Sequence, residues 1–219
     1  MLSATLTIAN IAGCTACTDL PLGPRPITQL SPKARILIAS QAPGRIAHMS
    51  GVPFQDPSGR NLRRWLGMEE AAFYDPDILA ILPMGFCYPG KQGGGDAPPR
   101  PLCAATWRDL GLAYLQSIEL ILIIGRHSLA WHLPHLKSQA ITTLARQQID
   151  VTHPRARLPV ATRQAFVLPH PSPRTTPWRK ANPWFEAEMV PRLRRAVASV
   201  MAAQDVKRKS PMAETRLIA

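Results

Sequence analysis

The sequence predicts an α/β protein, a three-layer α/β/α sandwich around a central, mostly parallel four-stranded sheet. Three observations lead there. Four short apolar runs, residues 36–39, 77–83, 118–125 and 165–168, are rich in branched aliphatic side chains and bounded by polar or turn-forming residues, as expected of strands buried on both faces. Helical patterns separate them, so that strand and helix alternate along the chain, the order of a parallel sheet covered on both sides. The strands also stop abruptly, the first at Ser40-Gln41-Ala42-Pro43-Gly44 and the last at Pro169-His170-Pro171-Ser172-Pro173. Proline there continues neither a ladder nor a helix, and in open α/β sheets ligands bind at that carboxyl edge.

Composition sets the class. The 219 residues allow one sizeable core with tails, and 46% apolar with 18% charged residues is ordinary for a globular protein. No apolar run approaches the ~20 residues of a membrane span, and the first residues lack a secretory leader, so the expected location is cytoplasmic. Lys and Arg number 26 against 14 Asp and Glu, a formal charge of +12 in which arginine dominates. Such an excess favours nucleic acid or another polyanion as partner. The 23 prolines are spread through loops and form no repeat, which implies a loop-heavy fold.

Along the chain, residues 1–33 form a proline-punctuated arm carrying Cys14 and Cys17. A single domain follows over 34–203, then a basic, flexible tail over 204–219. Within the domain, residues 58–67 are expected as a helix, with Ser58 as N-cap, Leu62, Trp65 and Leu66 as its apolar stripe and Gly67 as its stop. Another helical turn is expected at 69–74. The glycine- and proline-rich loop 84–101 is long for a structureless connection, and helices follow at 103–116 and 127–133. Residues 141–160 are expected to be mostly irregular, with a helix possible at 141–148, and a last helix runs from 183 to about 203 with Leu193 and Val197 inward.

The only other cysteines are Cys87, just past the second strand, and Cys103, fifteen intervening residues later. In a cytosolic chain two cysteine pairs point to metal before disulfides. The irregular spacing argues against a simple zinc ribbon and leaves room for an iron–sulfur cluster or for unligated thiols.

The strand delivering His170-Pro171-Ser172-Pro173, the strand ending in Gln41-Ala42-Pro43-Gly44, and Gly51-Val52-Pro53-Phe54 beyond it together resemble the uracil-DNA glycosylase superfamily. The four cysteines place the chain nearest its bacterial iron–sulfur branch. The resemblance implies a monofunctional DNA glycosylase of base-excision repair, acting as a monomer on uracil in single- or double-stranded DNA and leaving an abasic site. It implies a structural four-iron four-sulfur cluster on Cys14, Cys17, Cys87 and Cys103. Catalysis would rest on His170 and on the backbone N–H groups of Gln41 and Ala42, donors to the departing base. Phe54 would stack the flipped base, beside Gln41, Pro43 and Gly44. Pro171, Ser172, Pro173 and Arg174 would press on the DNA.

Three departures accompany the resemblance. The aspartate that orients water in the most active relatives is Ala42 here, the ring that excludes thymine's methyl is replaced by Gly44, and the asparagine that reads the base edge is Pro83. Asp56 and His48 are the nearby polar candidates for activating water, and Asp56 is equally a candidate helix cap. Two other readings follow: a catalytically degenerate nucleic-acid-binding protein on the same scaffold, and a glycosylase for another deaminated base such as hypoxanthine or xanthine.

Overall fold

The computed structural model describes residues 9–209. Its sheet is four-stranded and entirely parallel, in the order β2-β1-β5-β6, from β1 (Ile36–Ala39), β2 (Leu79–Ile81), β5 (Leu120–Ile124) and β6 (Gln164–Leu168). Alternation along these strands divides the core in two. Ile36, Ile38, Leu79, Ile81, Leu120, Leu122, Phe166 and Leu168 face one layer with Trp65, Phe73, Phe185, Leu193 and Val197. Leu37, Ala39, Ala80, Ile121, Ile123, Ala165 and Val167 face the other with Leu115, Leu129, Leu133 and Leu144. The first layer is formed by α2 (Pro57–Leu66), α3 (Glu70–Phe73) and α8 (Val190–Lys209), the second by α4 (Pro101–Tyr114), α5 (Arg126–His132) and α6 (Ile141–Leu144). Helices therefore cover both faces, as the sequence predicts.

Several local expectations are corrected. The cap of α2 is Asp56, whose carboxylate accepts the Gly59 N–H at 2.9 Å, and Pro57 rather than Ser58 opens the helix. Pro suits that first position because its missing N–H has no helical partner there. Gly67 ends α2 in the left-handed region, as expected. The loop after β2 is not structureless: Lys91–Gln92 (β3) and Gly95–Asp96 (β4) pair as a short antiparallel hairpin. The last helix is preceded by α7 (Thr176–Ala181) and by a π-turn over Phe185–Met189, which seats Phe185 4.9 Å from the Trp65 ring.

The arm and the tail are not clean appendages. Gln29 bridges Ile81 on the outer side of β2, and its side-chain amide donates to the carbonyls of Phe73 and Leu79. This covers an edge strand that would otherwise offer unpaired backbone groups. Helix α8 continues past 203, and Gln204 is buried with its amide on the Asp77 carbonyl. Residues 1–8 and 210–219, which include most of the predicted tail, lie outside the described residues.

Candidate active site

At the carboxyl edge of β1 and β6 lies a cleft of about 660 Å³. One wall is the turn that leaves β1, Gln41 to Gly44, which leads into α1 (Arg45–Ser50). The carbonyls of Ser40 and Gln41 accept the N–H groups of Met84 and Gly85, tying this turn to the loop after β2. Ala42 presents only a methyl group, and Pro83 lies in the same cleft.

Phe54 also lines the cleft, with a φ of 57°, a backbone region that costs a bulky residue energy and persists where its surroundings enforce it. The enforcement is visible. The Phe54 carbonyl lies on Gly59, where an added Cβ would stand 1.6 Å from that oxygen. The Phe54 ring meets Phe73 edge-on at 6.3 Å and is partly buried against the core.

Strand β6 delivers His170. Its Nδ1 accepts the Ser172 N–H at 3.2 Å, so in the neutral ring Nε2 carries the proton and is the donor. Burial pulls the imidazole below its ordinary value of 6.5, with the nearby carboxylates of Asp56 and Asp96 opposing, which favours the neutral donor form. The following loop is stiffened at each residue. The Thr175 hydroxyl donates to the carbonyls of His170 and Ser172, the Ser172 hydroxyl accepts the Arg174 N–H, and Asn61 of α2 donates to the Pro171 carbonyl at 2.9 Å. Pro173 and Arg174 are exposed at the rim.

The structure thus brings Gln41, Ala42, Pro43, Gly44, Phe54, Asp56, Ser172, Pro173, Arg174 and His170 to one cleft. Pro171 is buried behind it as the loop's anchor. Asp56 belongs both to the cleft and to the cap of α2. His48 is a correction: it is buried away from the cleft, facing Tyr88 at 6.3 Å, and burial with the Arg25 charge holds it below its ordinary value. Ile46 and Ala47 are the α1 residues that line the cleft, and His48, one position further on and turned about 100° from Ala47, points off that side.

Three residues escaped sequence reasoning. Asn61 looked like any polar position on a helix. Asp96 sat in a glycine-rich stretch with no visible partner, yet it lines the cleft. Arg108 is fully buried and donates to the carbonyls of Leu82 and Pro83 at 2.9 and 2.8 Å and to His132. Burial lowers it to about 9, against the opposing influence of Cys103 and Asp109. It fixes the end of β2 behind Pro83.

Cys14, Cys17, Cys87 and Cys103 line a second cavity between the arm, the loop after β2 and α4. Trp107 Nε1–H donates to Cys14 Sγ and the Phe86 N–H to Cys103 Sγ, each at 3.3 Å. Burial, with the other cysteines adding, pushes the Cys103 thiol up to about 12, and burial raises Cys87 as well. Among the described residues no three His, Cys, Asp or Glu side chains are gathered as a site for a metal ion, so the thiols surround the cavity without forming a single-ion coordination sphere.

The family model for the uracil DNA glycosylase superfamily matches residues 27–194, most of the chain. The chain belongs to that superfamily. Its chemistry is hydrolysis of N-glycosyl bonds, with DNA as the partner and DNA repair as the setting. The match spans β1 to the start of α8 and so includes both cleft-forming turns. Among the described residues no helix is long and apolar enough to cross a membrane.

Proposed function

We propose that this protein is a monofunctional DNA glycosylase of base-excision repair, which takes a deaminated base, uracil foremost, out of DNA and hydrolyses its N-glycosidic bond to leave an abasic site. The observation that carries the reading is the fixed tautomer of His170. With Nδ1 occupied by the Ser172 N–H, Nε2–H is the donor available to a base. A donor aimed where negative charge develops is worth about 2.7–4 kcal/mol of barrier, and burial makes it effective without protonating the ring.

The other residues divide the remaining work. Phe54, held in its constrained backbone, supplies the face on which the extruded base stacks. The N–H groups of Gln41 and Ala42 face the same leaving group. Arg174, exposed at the rim, meets phosphate, and the proline-rich loop around it fills the position the base has left.

Cys14, Cys17, Cys87 and Cys103 would hold a four-iron four-sulfur cluster. Four thiols around one cavity support this, as do two N–H···S donors of the kind that stabilise ligating thiolates. When bound, the cluster supplies a covalent staple between arm, loop and α4 rather than any step of the reaction. Anaerobically purified protein is expected to be yellow-brown with iron and labile sulfide, and Cys103→Ser to bleach and destabilise it. Colourless, iron-free protein of full activity would refute the cluster.

A second reading is favoured by Pro83 and Gly44. With no amide at position 83 to read the base edge and no ring at position 44 to exclude bulk, the roomy cleft suits hypoxanthine or xanthine as well as uracil. Single-turnover excision on a panel of oligonucleotides carrying uracil, hypoxanthine or xanthine, followed by alkali, tests both. Strand scission only after alkali supports the glycosylase, and the fastest substrate names the base. Binding without scission would leave the degenerate nucleic-acid-binding protein as the reading.

A further inference from the structure

We infer that Asp96, carried into the cleft by the β3–β4 hairpin, is the carboxylate that orients and deprotonates the attacking water. The inference rests on the glycosylase reading above. The turn after β1 has at Ala42 no polar side-chain atom. Asp96 meets that same turn from the other side: a Cβ placed on Gly44 would stand 3.5 Å from its Oδ2. At that ordinary contact distance the carboxylate borders the turn, on the cleft that both residues line.

The hairpin is built for the delivery. Gly93 and Gly94 both adopt left-handed backbone, with φ of 56° and 78°, and nothing lies within 4 Å of either Cα substituent position. That conformation reverses the chain in two residues and sets Asp96 opposite Lys91. Immediately after it, the Ala97 carbonyl accepts the Gln41 side-chain amide at 3.4 Å. The hairpin is therefore fastened to the turn it faces. Arg174 approaches from the His170 loop and lies against Gly95, so three loops converge on this carboxylate.

Asp56 competes less well for the role. One of its oxygens is committed to the Gly59 N–H, and withdrawing it would uncap α2. Asp96 is exposed, and among the described residues its carboxylate makes no hydrogen bond or ion pair. Its charge is also felt by the His170 imidazole, which places the two groups in one electrostatic neighbourhood.

The step balances without any further reactant. The C1′–N electron pair leaves with the base, whose oxygen is held by the Nε2–H of His170. A water lone pair forms the new C1′–O bond, and the water's proton passes to the Asp96 carboxylate. Asp96 then releases that proton to solvent, the base anion takes one from solvent, and one water is consumed per bond broken.

The test uses the full chain and the base that the wild type excises fastest from the panel. Asp96→Ala and Asp96→Asn are each expected to lower single-turnover excision by about 10²-fold or more, within the range of a general base. Melting temperature and binding to an uncleavable analogue of the same oligonucleotide are expected to hold. Added formate is expected to restore part of the Asp96→Ala rate, which a merely structural loss would not allow. Excision by Asp96→Asn at the wild-type rate overturns the inference and leaves the glycosylase standing, and so does an Asp96→Ala rate that falls without rescue by formate. A wild type that excises nothing from the panel overturns both.

Discussion

Gly59→Ala is the sharpest test of how the cleft is built. An alanine Cβ there would stand 1.6 Å from the Phe54 carbonyl oxygen, 2.6 Å from its carbon and 2.9 Å from its Cβ. Reaching even 3.0 Å requires a separation of about 1.4 Å, the difference between 3.0 and 1.6. Neither partner can yield freely. Phe54 is already in the left-handed region and packs on Phe73, while the start of α2 is pinned by the Asp56 cap and by Asn61 on the His170 loop. Overpacking costs about 1–3 kcal/mol, and loss of the cap about 1 more. The helix preference of Ala over Gly returns roughly 1 at most. A net loss of about 1–3 kcal/mol lowers the melting temperature of a chain this size by about 2–12 °C. Because a displacement of 1 Å costs about 10²-fold in a positioned reaction, excision should fall by that factor even at temperatures where the variant is folded. Calorimetry and single-turnover excision measure the two effects. Gly67→Ala is the control, since its φ of 65° makes alanine strained but the residue sits at the far end of α2; it should lose stability and keep its rate. Gly59→Ala with wild-type melting and wild-type excision would refute the reasoning.

Three further outcomes follow from the same geometry. Asn61→Ala removes one hydrogen bond, about 1 kcal/mol, from the loop that carries His170; excision should drop up to about tenfold with only a ~2–4 °C loss in melting temperature, and an unchanged rate would mean that the loop is rigid without it. Stability should fall as pH drops below the ordinary histidine value of 6.5, because His132, held well below it by burial and then by Arg108, and His170, lowered by burial, stay neutral in the fold while the unfolded chain takes up protons; urea midpoints from pH 8 to 5 check the sign, and a flat profile would contradict it. Binding to undamaged DNA should weaken steeply between low and moderate salt as Lys and Arg release counterions from phosphates; equal affinity across the titration would make the +12 charge incidental.

How much of this was legible in the sequence depends on range. The strands were, because a run such as Leu120–Ile124 buried on both faces has no polar position to confuse the pattern. That His170 and Phe54 would meet at one cleft was also legible, from a short string at the end of β6 and another beyond α1. Residues whose meaning comes from distant partners were not. Asp56 and Ser58 compete for one cap, and only the position of Pro57 in the helix decides between them. Of the aromatic cluster of Trp178, Trp184 and Phe185, the last two fall in the expected final helix, while Trp178 was hidden by the prolines around it, which read as loop although Pro177 stands in the first turn of α7. Asp96 needed the hairpin, and the hairpin needed two glycines whose backbone angles no periodicity reveals. His48 was misplaced for the opposite reason: nearness in sequence to Gly44 was taken for nearness to the cleft, and α1 turns it away.

The strand order has a consequence for what the cleft can admit. Its two working turns hang from β1 and β6, which are not neighbours but are held apart by β5 in matched register, Ala39 beside Ile123 beside Val167. Two strand spacings of about 4.8 Å put the turns roughly 10 Å apart at their roots. That is the in-plane width of one flat heterocycle with a hydrogen-bonding atom on either side, and it is too narrow for a base pair lying edge to edge. The sheet acts as a fixed gauge for a single unpaired base, whatever its identity. Discrimination among bases is left to the few loop atoms inside that gap, where it can drift by substitution while the gauge stays constant.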